Sequence, residues 1–510
     1  MGNKAREILV TVLVLISFGL VLADSSHWFV RLDLTRSKAF SISPVSRTII
    51  RDIPQQVHVI YYLSDTLKTI APATGRIVDL LQEYAAESRG KVSVTVLDPD
   101  TSGRAESARS YGVLPQQIQV IQQNEQRTIN VYSGIVVDYL DRFTSLPAVF
   151  TSDGLEYSLG LSIRKVLAGR RIVVGVELGA PEKSLQSDYD TLQTALSRDY
   201  SIHEYLPGDA IPAEVDVLLV IGGTHWSADA LRPIDSYVMS GGKVLFAAKA
   251  LDVDTARTFT ANAVGSSALI DMIAAYGVRV QPGMVLDTAS RDYRLPQQKP
   301  SGEVAWEKIA KYPPWVSVQG PDVSTTNPIT SSFAGLDLLW PAPLSSIDRT
   351  GVSSTALVQS SASSWLQQAP FVIDPYRVPQ SGGPTAQYTL AYALSGTFPS
   401  AFAGGDARSK PTRMLVIGDS DFASDLMQFS DSLTNVLFIE NSILWLSGNA
   451  DLLSIKTRAA AEGRLDRIQD PGARGRLMIA APLINVVAIP VLVLVVGLVR
   501  SLRRRERRGS

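Results

Sequence analysis

Chemistry in a chain without cysteine has to come from hydroxyls, imidazoles, carboxylates and amines. The 510 residues contain none of the thiols needed for disulfides, thiolate nucleophiles, CxxC redox work or cysteine zinc sites. Four histidines, His27, His58, His203 and His225, stand apart from one another and from any HExxH pattern, so packing or surface roles are expected of them. The densest candidate is Gly418, Asp419, Ser420, Asp421 and Phe422, directly after the apolar run Arg413 to Ile417. A serine at a strand end becomes a nucleophile when a histidine base reaches it, yet no histidine follows His225. Asp419 and Asp421 can instead hold a hard cation through oxygen ligands, or cap the next helix and fix a tight turn. The turn is the expectation, and no catalytic, cofactor or metal role is assigned to any residue.

Glycine pairs mark the other candidates. Gly222 and Gly223 end the strand-like Val215 to Ile221, and His225 and Trp226 follow on the same edge. Gly241 and Gly242 turn the chain into Lys243 to Ala247 and are counted with them, together with Gly418, Asp419 and Asp421, as a ligand or partner edge. The Gly-Gly-Lys at 241–243 lacks the preceding loop and the following hydroxyl residue of a P-loop, so ATP hydrolysis is not expected of this chain.

The elements that must carry these residues read as two α/β modules. Val57 to Leu63, Ile77 to Glu87 and Val92 to Leu97 form a strand, helix, strand unit with a right-handed crossover. Further strands are expected at Ile118 to Ile121 and Asn130 to Val137 around a turn near Asn124, then a helix at Glu156 to Leu167. In the second module, Arg171 to Val176, Val215 to Ile221, Lys243 to Ala247 and Arg413 to Ile417 alternate with helices near Tyr189 to Leu196, Ala228 to Met239 and Asn441 to Leu446. Strands ending in glycine and alternating with helices describe an open, doubly wound sheet whose functional edge lies at the carboxyl ends. Leu251 to Lys410, rich in Ser, Thr, Pro and Gly, has no strong period and no assignable topology.

Both extremities are apolar. Leu477 to Val499 would make a helix of roughly 35 Å, enough to cross about 30 Å of hydrocarbon. Six arginines between Arg500 and Arg508 follow it. Pro482, Asn485 and Pro490 interrupt the run and leave polar groups for a neighbouring helix to satisfy, so Asn485 and Pro490 are membrane-packing candidates. Ile8 to Ala23, after Lys4 and Arg6, reads either as a retained helix extended by Trp28 to Val30 or as a signal peptide cut after Ala23. Either way the following chain is exported. Arg464, Arg467, Arg474 and Arg476 oppose the basic tail but are outnumbered by it, which places both termini in the cytoplasm. A formal net charge of -1 offers no footprint for nucleic acid. The expected order is an anchor (1–30), a first α/β domain (31–168), a second with long insertions (169–452), a charged linker (453–476), and an anchor with a basic tail (477–510).

A series of motifs in order resembles GldG-like proteins, auxiliary subunits of gliding-motility-type ABC transporters. These are Arg31 to Thr35 with Lys38 and Phe40 to Ser43, Tyr237 to Phe246, Asn327 to Thr330, Leu390 to Phe402, Val416 to Phe422, Asn441 to Leu446 and Asn485 to Gly497. The resemblance covers nearly the whole chain. It implies a retained first helix, a thioredoxin-like first domain without redox cysteine, and a glutamine-amidotransferase-like second domain without a cysteine nucleophile. The implied protein is a non-enzymatic auxiliary membrane subunit of an ABC-type transport or gliding-motility system. It would work beside a permease and a separate ATPase in contact with membrane lipid, and its extracytoplasmic region would bind a substrate, an envelope protein or a polymer. Two stretches depart from the family pattern: Ala247-Ala248-Lys249-Ala250 stands where an acidic residue is usual, and Glu177-Leu178-Gly179-Ala180 follows the first strand. An anchored envelope hydrolase using Asp419 or Ser420, and a purely structural tether, are the alternative expectations.

Overall fold

A computed structural model describes residues 41–455, apart from 102, 123–124, 180–182, 255–258, 299–301, 303, 332–334, 381, 404–406 and 431–433. The two expected membrane helices, the basic tail, and the linker from 456 on lie outside the described residues, as do Asn485 and Pro490. Among the described residues no helix is long and apolar enough to cross a membrane.

The first module is a four-stranded mixed sheet. β1 (Val57–Leu63) and β2 (Val92–Leu97) run parallel, joined through the helix Ala73–Glu87, whose Ile77, Leu81 and Tyr84 are buried. That helical spacing puts all three on one face. A hairpin, β3 (Gln116–Gln122) with β4 (Glu125–Val131), stands apart from the sheet. β5 (Ser133–Tyr139) then returns antiparallel beside β1, and β6 (Arg142–Leu146) completes the order β2-β1-β5-β6. Where the sequence suggests one strand over Asn130 to Val137, the chain makes two, because it leaves the hairpin at Val131 and joins the sheet at Ser133.

Past the helix Leu155–Ala168, β7 (Ile172–Leu178), β8 (Tyr200–Tyr205), β9 (Val217–Ile221), β10 (Val244–Ala247) and β22 (Thr412–Ile417) pair in parallel. Their spatial order is β8-β7-β9-β10-β22, that is 2-1-3-4-5 in chain order, one of the two common doubly wound arrangements. All five residues of β9 are buried, as a strand covered on both faces requires. Val217, Leu219 and Ile221 enter one core; Leu218 and Val220 enter another with Leu231, Ile234 and Val238 of the helix Ala228–Met239. The first core also holds Ile49, Leu81 and Leu159, so side chains of both modules share it.

Apart from the helix Ala268–Tyr276, the described strands of the stretch without sequence period pair as antiparallel β-structure. β11 and β12 (Leu251–Asp254, Thr260–Ala263) form a ribbon, as do β14 (Met284–Leu286) and β20 (Trp365–Gln367). β15 (Ser290–Gln298), β16 (Val304–Val318) and β17 (Leu336–Leu339) make a three-stranded sheet. β13 (Val278–Val280), β18 (Leu344–Ser346), β19 (Val352–Gln359) and β21 (Thr389–Gly396) extend the central sheet beyond β22, all in antiparallel pairings.

Candidate functional site

In an open α/β sheet the crevice outside the carboxyl ends of the strands is where ligands sit. Here that edge is knitted by the protein's own backbone. Gly179 N donates to Ile221 O at 2.7 Å, Gly222 N to Ala247 O at 2.8 Å, and Ala248 N to Ile417 O at 3.0 Å. A Cβ on Gly179 would lie 1.7 Å from Gly223 N, and one on Gly418 would lie 2.2 Å from Ala342 O. Gly222 and Gly223 have φ of +80° and +89°, left-handed values at which a side chain is strained. The close approach these glycines permit is made by another strand end, and the Trp226 ring packs against Gly223.

The end of β22 collects charge. Asp419 is fully buried: its Oδ2 accepts from Leu339 N at 2.7 Å and its Oδ1 from Asp421 N at 2.7 Å. The second contact is the turn-fixing bond expected of an aspartate at a strand end. Asp421 pairs with the Lys249 ammonium, and Lys183 Nζ stands 3.8 Å from its other oxygen. Lys249, 5% exposed, also lies 4.9 Å from the centroid of Trp340. That ring is held by Trp340 Nε1 donating to Tyr312 Oη at 2.8 Å, and Tyr312 in turn donates to Ile373 O at 2.6 Å. Trp340 itself has a φ of 55°, a costly conformation for a bulky residue.

Electrostatics separate the two aspartates. Burial pushes the Asp419 carboxyl up to about 7, with Lys249 opposing and Asp421 adding to the rise. Burial acts on Asp421 too, but Lys249 and Lys183 outweigh it and hold this carboxyl below its ordinary value. The Tyr189 hydroxyl is raised by burial and, after that, by the negative charge of Asp421, Asp188, Asp419 and Asp425. Nearby, Asp425 accepts from Asp190 N at 3.1 Å and Thr191 N at 3.0 Å, fastening the start of the helix Asp190–Leu196 to the β22 side.

At the end of β7, Glu177 is fully buried, and among the described residues neither of its oxygens has a hydrogen-bond partner. Burial, reinforced by Asp209, raises its carboxyl to about 8, so it is mostly protonated at neutral pH.

The other sequence candidates are dispersed. His225, well exposed, pairs with Asp252 Oδ1 at 2.8 Å. Gly241 and Gly242 belong elsewhere: they precede β10, at the amino end of the strand, opposite to the edge where the sequence reading puts them. Gly242 makes room for the Tyr237 ring, since a Cβ there would lie 2.4 Å from it, and Thr412 Oγ1 donates to Gly242 O at 2.8 Å. Their role is the packing of helix on sheet. The described histidines make their hydrogen bonds away from Ser420: His58 with Ser93, His203 with Ser201, His225 with Asp252.

Sequence reasoning passed over Lys249, Lys183, Trp340 and Glu177 as members of one edge. A usable signal existed for Lys249 and Glu177, each a lone charged residue in or just after an apolar strand. Nothing in the spacing tied Trp340 to an amine 91 positions earlier.

Fold and edge together define a mixed α/β body built on a doubly wound sheet, with buried charge gathered at its carboxyl ends. Residues 171–448, more than half of the chain, match the family described as an ABC-type uncharacterized transport system. The chain belongs to that family and is an auxiliary component of an ABC-type transport system. Residues 36–138 match a domain of unknown function, DUF7088. A protein of Borreliella burgdorferi, described as uncharacterized, is 23% identical over 99% of this chain and 100% of its own length. Crystal structures of ThuA-like proteins from Parabacteroides merdae and Bacteroides uniformis are 11% and 10% identical, each over 55% of this chain and over 90% and 96% of their own. Their TM-scores are 0.27 and 0.30, so the architecture rests on the strand order given above.

Proposed function

We propose that this chain is a non-enzymatic subunit of the GldG-like kind, held in the inner membrane by its two terminal apolar segments with the described body outside the cytoplasm. The helices, through Asn485 and Pro490, dock on a permease served by a separate ATPase. The body presents its charged carboxyl edge to a transported substrate or an envelope partner. The observation that carries the reading is the family match over residues 171–448 in a chain whose two ends are apolar. Further support comes from the strand order β2-β1-β5-β6, which we take as thioredoxin-like, and from the 2-1-3-4-5 sheet, which we take as glutamine-amidotransferase-like. The engagement of Asp419, both of whose oxygens accept backbone N–H groups, favours a structural role for it over hydrolysis.

Co-purification from membranes in mild detergent tests the proposal. A permease and an ATPase subunit should accompany the tagged chain in fixed proportion. Recovery of the chain without either would overturn it.

A further inference from the structure

The antiparallel pair β19 and β21 ends at Gln359 opposite Thr389, and the described residues from 360 to 388 make a lobe between the two strands. Backbone closes its neck: Ser360 N donates to Tyr388 O and Ala386 N to Ser364 O, each at 2.8 Å. Inside the lobe β20 pairs with β14, and Trp365 enters the core that holds Tyr312 and Trp340. An open cleft of about 440 Å³ lies in the lobe, with residues 365–368 on its lining together with Pro379, Pro384 and Tyr388. That volume is in the range of ligand sites, so the groups presented to it decide what it could hold.

Those groups are hydrogen-bond donors without partners. Trp365 is only 4% exposed, and a Cβ on Gly382 would lie 3.1 Å from its Nε1 and 3.3 Å from its Cδ1. The glycine leaves the indole edge uncovered, and among the described residues that N–H has no acceptor. Indole N–H groups this deep ordinarily find one. Gln367 Oε1 accepts from Val372 N at 3.1 Å, which leaves its Nε2 to donate elsewhere. The Gln368 amide and the Tyr388 hydroxyl are also unpaired among the described residues.

No lining residue is charged. Phosphate, carboxylate and ammonium ligands would lose their hydration here with nothing to offset it. The Trp365 ring is packed in its core, so its donating edge, and no open indole face for a sugar to stack on, reaches the cleft. Donors of this kind match a neutral ligand carrying unpaired carbonyls along its length. A polyproline II segment has them because it makes no internal hydrogen bonds, and grooves lined by aromatic side chains take such segments.

We propose that this cleft binds an uncharged, proline-rich segment of a partner protein in polyproline II form. Trp365 Nε1, Tyr388 Oη and the two glutamine amides donate to its backbone carbonyls, and Pro379 and Pro384 supply apolar wall. The site uses none of the residues of the charged carboxyl edge and does not depend on the anchoring proposed above.

Fluorescein-labelled deca-proline is the probe, titrated with the purified full chain in a zwitterionic detergent and followed by anisotropy. It should bind saturably, and a glycine-serine peptide of the same length should bind about tenfold more weakly or not at all. Trp365→Phe keeps a ring and removes the N–H, and should weaken binding about tenfold. Gly382→Ala, which covers the indole edge, and Gln368→Ala, on the exposed rim, should each weaken it several-fold. If Trp365→Phe lowers the urea midpoint, the other two variants decide. Absence of saturable binding, or equal binding by all three variants and the natural chain, would overturn the proposal. Displacement of the probe by maltoheptaose and not by unlabelled deca-proline would overturn it in favour of a saccharide site.

Discussion

At the β22 end of the central sheet Asp419 is buried with both oxygens hydrogen-bonded, whereas at the β7 end Glu177 is buried and its oxygens find no partner among the described residues. The two carboxyls share an edge and a degree of burial. What differs is the supply of donors. Around Asp419 the chain turns, freeing Asp421 N, and β17 brings in Leu339 N, while Lys249 and Lys183 supply compensating charge to the adjacent aspartate. Around Glu177 the N–H groups of Gly179 and Gly222 are spent on neighbouring strand ends. One end is a finished electrostatic joint; the other keeps its acid neutral because little else is offered. In doubly wound sheets of this order the direction of winding reverses between the first and third strands in chain order, and the unsatisfied carboxyl stands at the end of the first.

Breaking the finished joint should have the largest effect. Lys249→Met leaves Asp421 charged, largely shielded from water and with Lys183 alone at 3.8 Å, and should cost about 3 kcal/mol in urea denaturation. Adding Asp421→Leu to that variant should recover most of the loss; failure to recover would mean Lys249 matters through Trp340 rather than through charge.

Glu177→Gln sharpens the contrast by acting in the opposite direction. The native carboxyl is raised from 4.5 to about 8, so it penalises folding progressively as pH rises through that window and not below it. The variant should therefore gain about 2–4 kcal/mol over the natural chain above pH 8 and nothing at pH 4, read from denaturation midpoints across pH. A pH-independent difference would show that Glu177 is ionised in the folded state.

Asp419→Asn should cost about 1–3 kcal/mol at neutral pH, because an amide nitrogen must then face one of two N–H groups that now donate to carboxylate oxygens. A stabilised Asn variant would put Asp419 in the same class as Glu177. The smallest effect is expected from His225→Ala, whose exposed contact with Asp252 should be worth less than about 0.5 kcal/mol in the same measurement.

Much of the local structure was legible because local periodicity carries it. Val57–Leu63, Val92–Leu97 and Ala228–Met239 stand where the pattern places them, and the parallel strands of the second module read as apolar runs ending in glycine. Tyr200–Tyr205 escaped notice, since an edge strand bearing Ser201, His203 and Glu204 has no apolar run to announce it. The insertion was opaque for another reason. β16 runs for 15 residues through Pro313 and Pro314, and its partners are fixed by pairings distant in sequence rather than by its own alternation. Of the candidate edge, the aspartates and Gly222–Gly223 were visible as strand endings. Gly241–Gly242 looked the same on paper but turn the chain at the other end of the strand, a distinction that requires knowing which way each strand points.

The pairing of β10 with β22 sets Val244 beside Met414, with the whole antiparallel insertion between them in the chain. Contacts that close so long a loop form late, since the entropy of closure is lost before they reward it. Until Thr412–Ile417 arrives, β10 has an unpaired edge and Lys249 has no counter-ion. During synthesis the central sheet is thus a template awaiting its fifth strand, exposed to pairing with other chains.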